Sequence, residues 1–508
     1  MHLTDNNWLV TAAVFLPLLG AFVVMALPKS NEYAIKVAAL VTSLATLGIG
    51  VAILSTFDYS QSSSGLLAGK LQFYVNTSWI PVIKSRYIVG VDGLGLPLLI
   101  LSMVIVVLVV IYSWDHIPEP GNPKAFFALI LILEVGMNGT FVAQDLILFF
   151  VFFEVVLLPM YFMIGVWGGD NRRYAAIKFF LYTLFGSALM LLAFLALFFK
   201  TGSQSFAIEY LAAHSSGILH STQLLIFGGL FMGFAIKVPM FPFHTWLPDA
   251  HTEAPTQGSV ILAAVMRARI IHIVIVLSLI GIIYGALVCL MQKDMKRLIA
   301  YSSVSHLGFC TLGIFALTPN GLAGSVLQQI NHGISTGALF LIVGVLYERR
   351  HTRMISEFGG LATPMPNFAA IYLIVSLSSL GMPLLNGFIG EFTILQGAFQ
   401  VSKAWAAWGS LGVVLGAAYL LWLYQRVMFG PVTQFANEEL PDLNLREYAT
   451  LVPLVILAFW IGIYPKPFFA LIEKPVQKIV EQVNPNFYQA ERAKLPPAEL
   501  HAAAAETK

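Results

Sequence analysis

Charge is the scarcest property of this 508-residue chain: only 11% of its residues are Asp, Glu, Lys or Arg, where a soluble chain carries roughly a quarter. The net charge of +2 supplies no basic field for a nucleic-acid backbone, so that class of partner is not expected. Cysteine is nearly missing as well. Cys289 and Cys310 both lie in apolar runs; no CxxC or Cys/His spacing exists for zinc or an iron–sulfur cluster, and no disulfide framework is indicated. There is no GxGxxG after a strand and no Walker A sequence. No cofactor is therefore expected on this chain, and any redox chemistry or nucleotide hydrolysis belongs to another one. Lys and Arg are also lacking between Met1 and Asn7, ahead of the first apolar run. Signal peptides start positively and have a short apolar centre, so an uncleaved first span is expected.

What is abundant is apolar sequence, 58% of the chain. Runs of membrane-spanning length occur at Trp8–Leu27, Ile35–Phe57, Gly93–Trp114, Ala125–Ala143, Leu146–Trp167 and Ala175–Phe199. They continue at Leu224–Trp246, Ile270–Leu290, Ala300–Phe315, Gly321–Tyr347, Phe368–Phe399, Trp405–Phe429 and Tyr448–Tyr464. These runs predict an all-α polytopic membrane protein of about 13 transmembrane helices in a lipid bilayer. From Leu471 the sequence turns polar and Ala/Pro-rich, which predicts a surface helix with a frayed end.

Lys and Arg gather in alternate connections, at Lys29 and Lys36, Lys124, Arg172 and Arg173, Lys293 to Arg297, Arg349 to Arg353, and Arg426 and Arg446. Cytoplasmic loops carry this excess, so the N-terminus faces the other side. The long connection with Lys70, Lys84 and Arg86 also lies there. One stretch strains the pattern. Both Pro248–Gln257 and Gln292–Arg297 must be cytoplasmic, yet Gly258–Met291 is short for the roughly 40 residues that two crossings need. A distorted or re-entrant span is expected, with Arg267 and Arg269 near its tip.

Ionisable groups in mid-span are costly and mark function by default. Glu154 stands within Phe149–Leu158, and Lys237 within Phe234–Pro239. A buried lysine near a carboxylate can switch protonation when a neighbouring charge moves, as a proton relay requires. The plainer alternatives are a carboxylate bonded between helices and a lysine that snorkels to the interface. Pro239 and Pro242 break the span of Lys237; Gly381-Met382-Pro383 breaks that of Glu391. Interrupted helices in matching halves point to a transporter's site, although Glu391 also reads as a carboxylate at a helix end. His306 and His332 have polar neighbours suited to relay through water, whereas His272 stands alone on an apolar face. Lys178 is either relay or snorkel, and Glu134 has no assignment.

Two segments then carry a resemblance. Lys237-Val238-Pro239-Met240-Phe241-Pro242-Phe243-His244-Thr245-Trp246-Leu247-Pro248-Asp249-Ala250-His251 and Asp294–His306 resemble signatures of the antiporter-like membrane-arm subunits of respiratory complex I. Glu391 in the second broken helix resembles the M-type members, where other types carry lysine. The resemblance implies fourteen spans and two inverted five-helix repeats. The corresponding segments are residues 1–124 (N-terminal helices), 125–269 and 270–429 (the repeats) and 430–508 (C-terminal helix and tail). It implies a proton-translocating subunit of NADH:quinone oxidoreductase in the cell inner membrane, beside other membrane-arm subunits, with NADH and quinone bound by other subunits of the complex. Glu154 would modulate Lys237, His306 and His332 would form the central axis, and Glu391 would be the terminal exchange group. The chain departs from the pattern after Val260, where about 19 residues of a hairpin are missing and Ala268 stands near a lysine position. Arginine cannot stand in for a relay lysine, because it stays protonated. A cation/proton antiporter subunit, or a non-pumping scaffold, are the other readings.

Overall fold

The computed structural model describes residues 8–59, 71–254, 272–432, 434–485 and 487–488. The N-terminal part consists of α1 (Trp8–Ala26), α2 (Glu32–Thr56), a hairpin of β1 (Gln72–Ile80) and β2 (Ser85–Val91), α3 (Gly95–Tyr112) and α4 (Pro123–Val142). Then come α5 (Leu146–Val155), α6 (Leu157–Trp167), α7 (Arg172–Lys200), α8 (Ile208–Ala213), α9 (His220–Lys237) and α10 (Trp246–Glu253). After residues 255–271 follow α11 (His272–Leu290), α12 (Met295–Phe315), α13 (Pro319–Arg350), α14 (Pro366–Ser379), α15 (Asn386–Val401), α16 (Lys403–Met428), α17 (Leu445–Ile463) and α18 (Lys466–Val483). Among the described residues, ten helical segments are long and apolar enough to cross a membrane, with α5 and α6 together making one of them. The helical fold class expected from the apolar runs is present. The expectation of a plain loop around Lys84 and Arg86 is corrected, because both sides of that turn are strands. Asp145 anchors the hairpin: its carboxylate accepts Ser85 Oγ at 2.9 Å and Arg86 N at 3.1 Å. It also caps α5 through Ile147 N and Leu148 N.

Proline sets where the spans break. Pro159 is the third residue of α6; its ring excludes the carbonyl four residues back, at Val155, where α5 ends. The joint therefore falls one residue after Glu154. Pro239 and Pro242 stop α9 at Lys237. The carbonyl of Ile236, left open by this stop, accepts Trp246 Nε1 at 2.8 Å. In the second half, Gly381 turns the chain with φ +82, a conformation that suits glycine, and separates α14 from α15.

The centre is formed by α12 and α13, almost wholly buried along their lengths, with α15 laid across them. Small residues permit this close approach. A Cβ on Gly324 would lie 2.7 Å from Ile394 N, so any larger residue there would push α15 off α13. The buried side of the amphipathic α18 (Leu471, Ile472, Val476, Ile479, Val480) rests on the bundle end, as the surface-helix reading anticipates.

Contacts between loops settle which connections share a face. Lys296 Nζ donates to Ala254 O, Arg353 Nη1 to Thr252 O at 2.6 Å, and Arg297 lies 3.8 Å from Asp249. Asn171 N donates to Glu253 Oε2. These connections hold the Lys/Arg clusters on one face, and the positive-inside rule makes that face cytoplasmic. Helix α11 runs antiparallel to α12, with Ser278 against Thr311 at one end and Cys289 against Leu298 at the other. Both ends required of the short stretch therefore stand as the charges demand. The stretch where a distorted or re-entrant span is expected, with Arg267, Ala268 and Arg269, lies outside the described residues, as does the His272 side chain.

Ser356 is exposed on that charged face, while both native cysteines are buried. A Ser356→Cys variant should react with a membrane-impermeant maleimide in inside-out vesicles and stay unlabelled in intact cells. Labelling from the outside would invert every helix after residue 271.

Candidate functional site

The densest polar cluster forms where α12, α13 and α15 meet. Glu391 is the sixth residue of α15, directly under the break, and is 3% exposed. Its Oε1 lies 2.9 Å from His306 Nδ1 on α12 and accepts Gln328 Nε2 from α13 at 3.2 Å. When Glu391 is ionised Nδ1 donates to it, and when Glu391 is protonated the carboxyl donates to Nδ1; Nε2 faces the Tyr419 hydroxyl at 3.4 Å. The His306 and His332 rings stand 5.6 Å apart. His332 Nδ1 meets Thr336 Oγ1 at 3.0 Å, one turn along α13. Around the break, Asn331 Nδ2 donates to Asn386 O at 2.7 Å and so ties α13 to the first residue of α15.

Several polar atoms here have no protein partner: His332 Nε2, Gln329 Oε1 and Asn331 Oδ1 are buried without a hydrogen bond. Buried polar groups are normally satisfied, and water is the partner that fits sites of this kind. The arrangement suits a chain of groups that hand protons on through water. Toward the first half lies His251 on α10, whose ring stacks on Phe340 of α13 at 4.9 Å.

The first half is built differently. Glu154 is the next-to-last residue of α5 and Lys237 ends α9, each beside a break. The expected close pair is not formed: neither Glu154 Oε1 nor Lys237 Nζ has a hydrogen-bond partner. The ammonium instead lies 4.2 Å from the centroid of the Phe153 ring. Lys178 resolves toward the interface. Its Nζ binds Asp249 Oδ2 at 2.7 Å, in the same ion cluster as Arg297. Glu134 is fully buried in α4 with both carboxylate oxygens unpartnered. Arg267 is outside the described residues.

Sequence reading thus located His306, His332 and Glu391, which the fold brings together. It missed Phe153, Tyr419 and the position of His251. The signature containing His251 was visible, but which helix it faces depends on the break at Pro239–Pro242. Tyr419 carries no local signal within its apolar run. Among the described residues no group of three or more His, Cys, Asp or Glu could hold a metal ion.

Comparison with known proteins decides the family. The model for NADH:quinone oxidoreductase/Mrp antiporter membrane regions matches residues 143–416, and that for the amino terminus of NADH-ubiquinone oxidoreductase chain 4 matches 37–137. NADH-quinone oxidoreductase subunit M of Rickettsia typhi is 38% identical, covering 93% of this chain and 98% of its own. The chain belongs to the NADH-quinone oxidoreductase subunit M (chain 4) family. Chain 4 of Arabidopsis thaliana is 37% identical, over 94% of this chain and 98% of its own. A chain of respiratory complex I from Thermus thermophilus superposes with TM-score 0.82 at 29% identity, covering 94% of this chain and 100% of that one. A chain of the Mrp complex from Dietzia superposes with TM-score 0.83 at 18% identity, covering 95% and 98%; this second likeness is one of fold. As a subunit M family member, the chain is a multi-pass membrane subunit of an oxidoreductase that associates with other membrane-arm subunits.

The geometry at Glu391 separates a titrating role from a bonding one. In an assembled enzyme, Glu391→Gln keeps the contacts to His306 and Gln328 but removes the acid, and should lower proton pumping by at least tenfold. Glu391→Asp should keep more of it. Equal pumping by both variants would show that the carboxylate only bonds its neighbours.

Proposed function

We propose that this chain translocates protons through a buried route of Glu154, Lys237, His332, His306 and Glu391, driven by quinone reduction in other subunits of the same complex. The observation that carries this reading is the His306–Glu391 contact, 2.9 Å long and almost fully buried, set in the gap of a broken helix and bordered by unpartnered polar atoms. An apolar bundle has no need of such a group, whose burial costs several kcal/mol unless it is used or paired. Interrupted helices expose backbone carbonyls only where they line a cavity, and here both breaks adjoin titratable side chains. NADH and quinone are assigned to partner subunits, and this chain to carrying charge. In a bacterial cell the complex lies in the plasma membrane.

The likeness to an Mrp chain supports a shared architecture, and therefore a shared way of holding protonatable groups in the membrane. The subunit M relationship, extending over nearly the whole chain, favours the oxidoreductase over a stand-alone antiporter.

Lys237 gives the sharpest test, because a scaffold would tolerate its loss. Lys237→Ala should leave the complex assembled while cutting proton pumping and the coupled quinone reduction by an order of magnitude or more. Vesicles holding an intact Lys237→Ala complex that acidify at the normal rate would reduce this subunit to a structural part.

A further inference from the structure

We propose that Phe153 is a positioning residue that holds the Lys237 ammonium off Glu154, keeping the pair open between proton transfers; this rests on the relay reading above. Phe153 and Glu154 are neighbours on the last turn of α5, so the ammonium has two possible seats side by side. It occupies the ring, with Nζ 4.2 Å from the centroid. The carboxylate Oε1 beside it stays without a hydrogen bond, as does Nζ itself. A cation is drawn to the face of an aromatic ring, most strongly where water is excluded. That attraction is enough to seat the ammonium, yet weaker than a closed ion pair in the same surroundings.

The ring is held for this purpose by a relay of aromatic contacts. Phe149, one turn earlier, stacks on Phe153 with centroids 5.3 Å apart and planes at 26°. Phe149 is in turn fixed edge-on by Phe194 of α7, at 6.3 Å and 73°. The seat is therefore rigid, while the groups that use it are placed at joints. Val156 separates α5 from α6 just past Glu154, and α9 stops at Lys237. A small adjustment at either joint moves the ammonium between ring and carboxylate without repacking a helix. A closed Glu154–Lys237 pair would hold its proton and stall the route. On the ring, the lysine carries its proton without surrendering it to a permanent partner. The arrangement assigns Glu154 to draw the ammonium only when charge elsewhere favours closing.

The test separates the electronic property of the ring from its shape. Phe153 is replaced in the full complex by mono-, di- and trifluorophenylalanine, which weaken the ring face progressively at nearly constant size. Pumping into vesicles and quinone reduction are then measured for each, alongside Phe153→Trp and Phe153→Leu. Pumping should fall stepwise, several-fold across the fluorinated series, with Phe153→Leu lowest and Phe153→Trp close to the native rate. In a Lys237→Ala background the residual quinone reduction should ignore fluorination. A flat fluorinated series, or the same gradient without Lys237, would overturn the role of the ring. A flat series beside a Lys237→Ala complex that fails to pump rejects this proposal alone. Normal pumping by Lys237→Ala rejects the relay on which it stands.

Discussion

Every polar group that this chain carries into the bilayer must find its partner inside the protein. Lipid offers no hydrogen bonds, and an unmet donor or acceptor costs several kcal/mol. An apolar bundle would satisfy that constraint trivially. This one instead places His306, Gln328, Asn331, His332 and Glu391 at its centre, on the helices most shielded from lipid. The architecture follows from the need to surround them. Helices α12 and α13 are enclosed on nearly all sides, and α15 is drawn in through glycine contacts. Helices α1, α2, α7, α16 and α17 lie on the outside of the bundle, each with well under half of its span buried.

The same constraint explains why the helix breaks lie where they do. A broken span frees backbone carbonyls, and each must be met again. Trp246 meets Ile236 O at the first break, and at the second the backbone N–H groups of Leu380 and Met382 meet Ser376 O and Leu377 O at the end of α14. Titratable side chains stand beside both breaks, Lys237 at the end of α9 and Glu391 in the second turn of α15. Glu391 is paired directly with a histidine, whereas Lys237 rests on an aromatic ring. The two halves thus solve the burial of charge by different means, one by hydrogen bonds and one by the electron-rich face of Phe153. Interface charges are treated separately, in the Lys178–Asp249–Arg297 cluster and in the bidentate Arg349–Glu447 pair, with contacts of 2.7 and 2.8 Å.

Much of this could be read from the amino-acid order, for definite reasons. The spans are visible because length and apolarity are local properties. The breaks are visible because proline and glycine announce them, and the orientation because Lys and Arg alternate between loops. Glu154, Lys237, His306, His332 and Glu391 stand out as polar residues in apolar company. The hairpin was hidden because its alternation is blurred by Asn76, Thr77 and Ser78, and its register depends on pairing across the turn. The seat of Lys237 was hidden too. A lysine and a glutamate in neighbouring spans suggest an ion pair, and only the packing of Phe149, Phe153 and Phe194 shows that an aromatic ring comes first. Tyr419 reaches His306 from 113 positions away in sequence, a contact that no local pattern encodes.

The central claim is that the interior polar groups form a hydrated path for protons and are not merely a bonded core. Locating ordered water in the assembled complex, by electron cryo-microscopy at a resolution that resolves single molecules, addresses this most directly. The account predicts water at His332 Nε2, Gln329 Oε1 and Asn331 Oδ1, linked into a file that runs from Lys237 past His251 to Glu391. A dry interior, with these atoms closed by side-chain contacts in every turnover state, would contradict it.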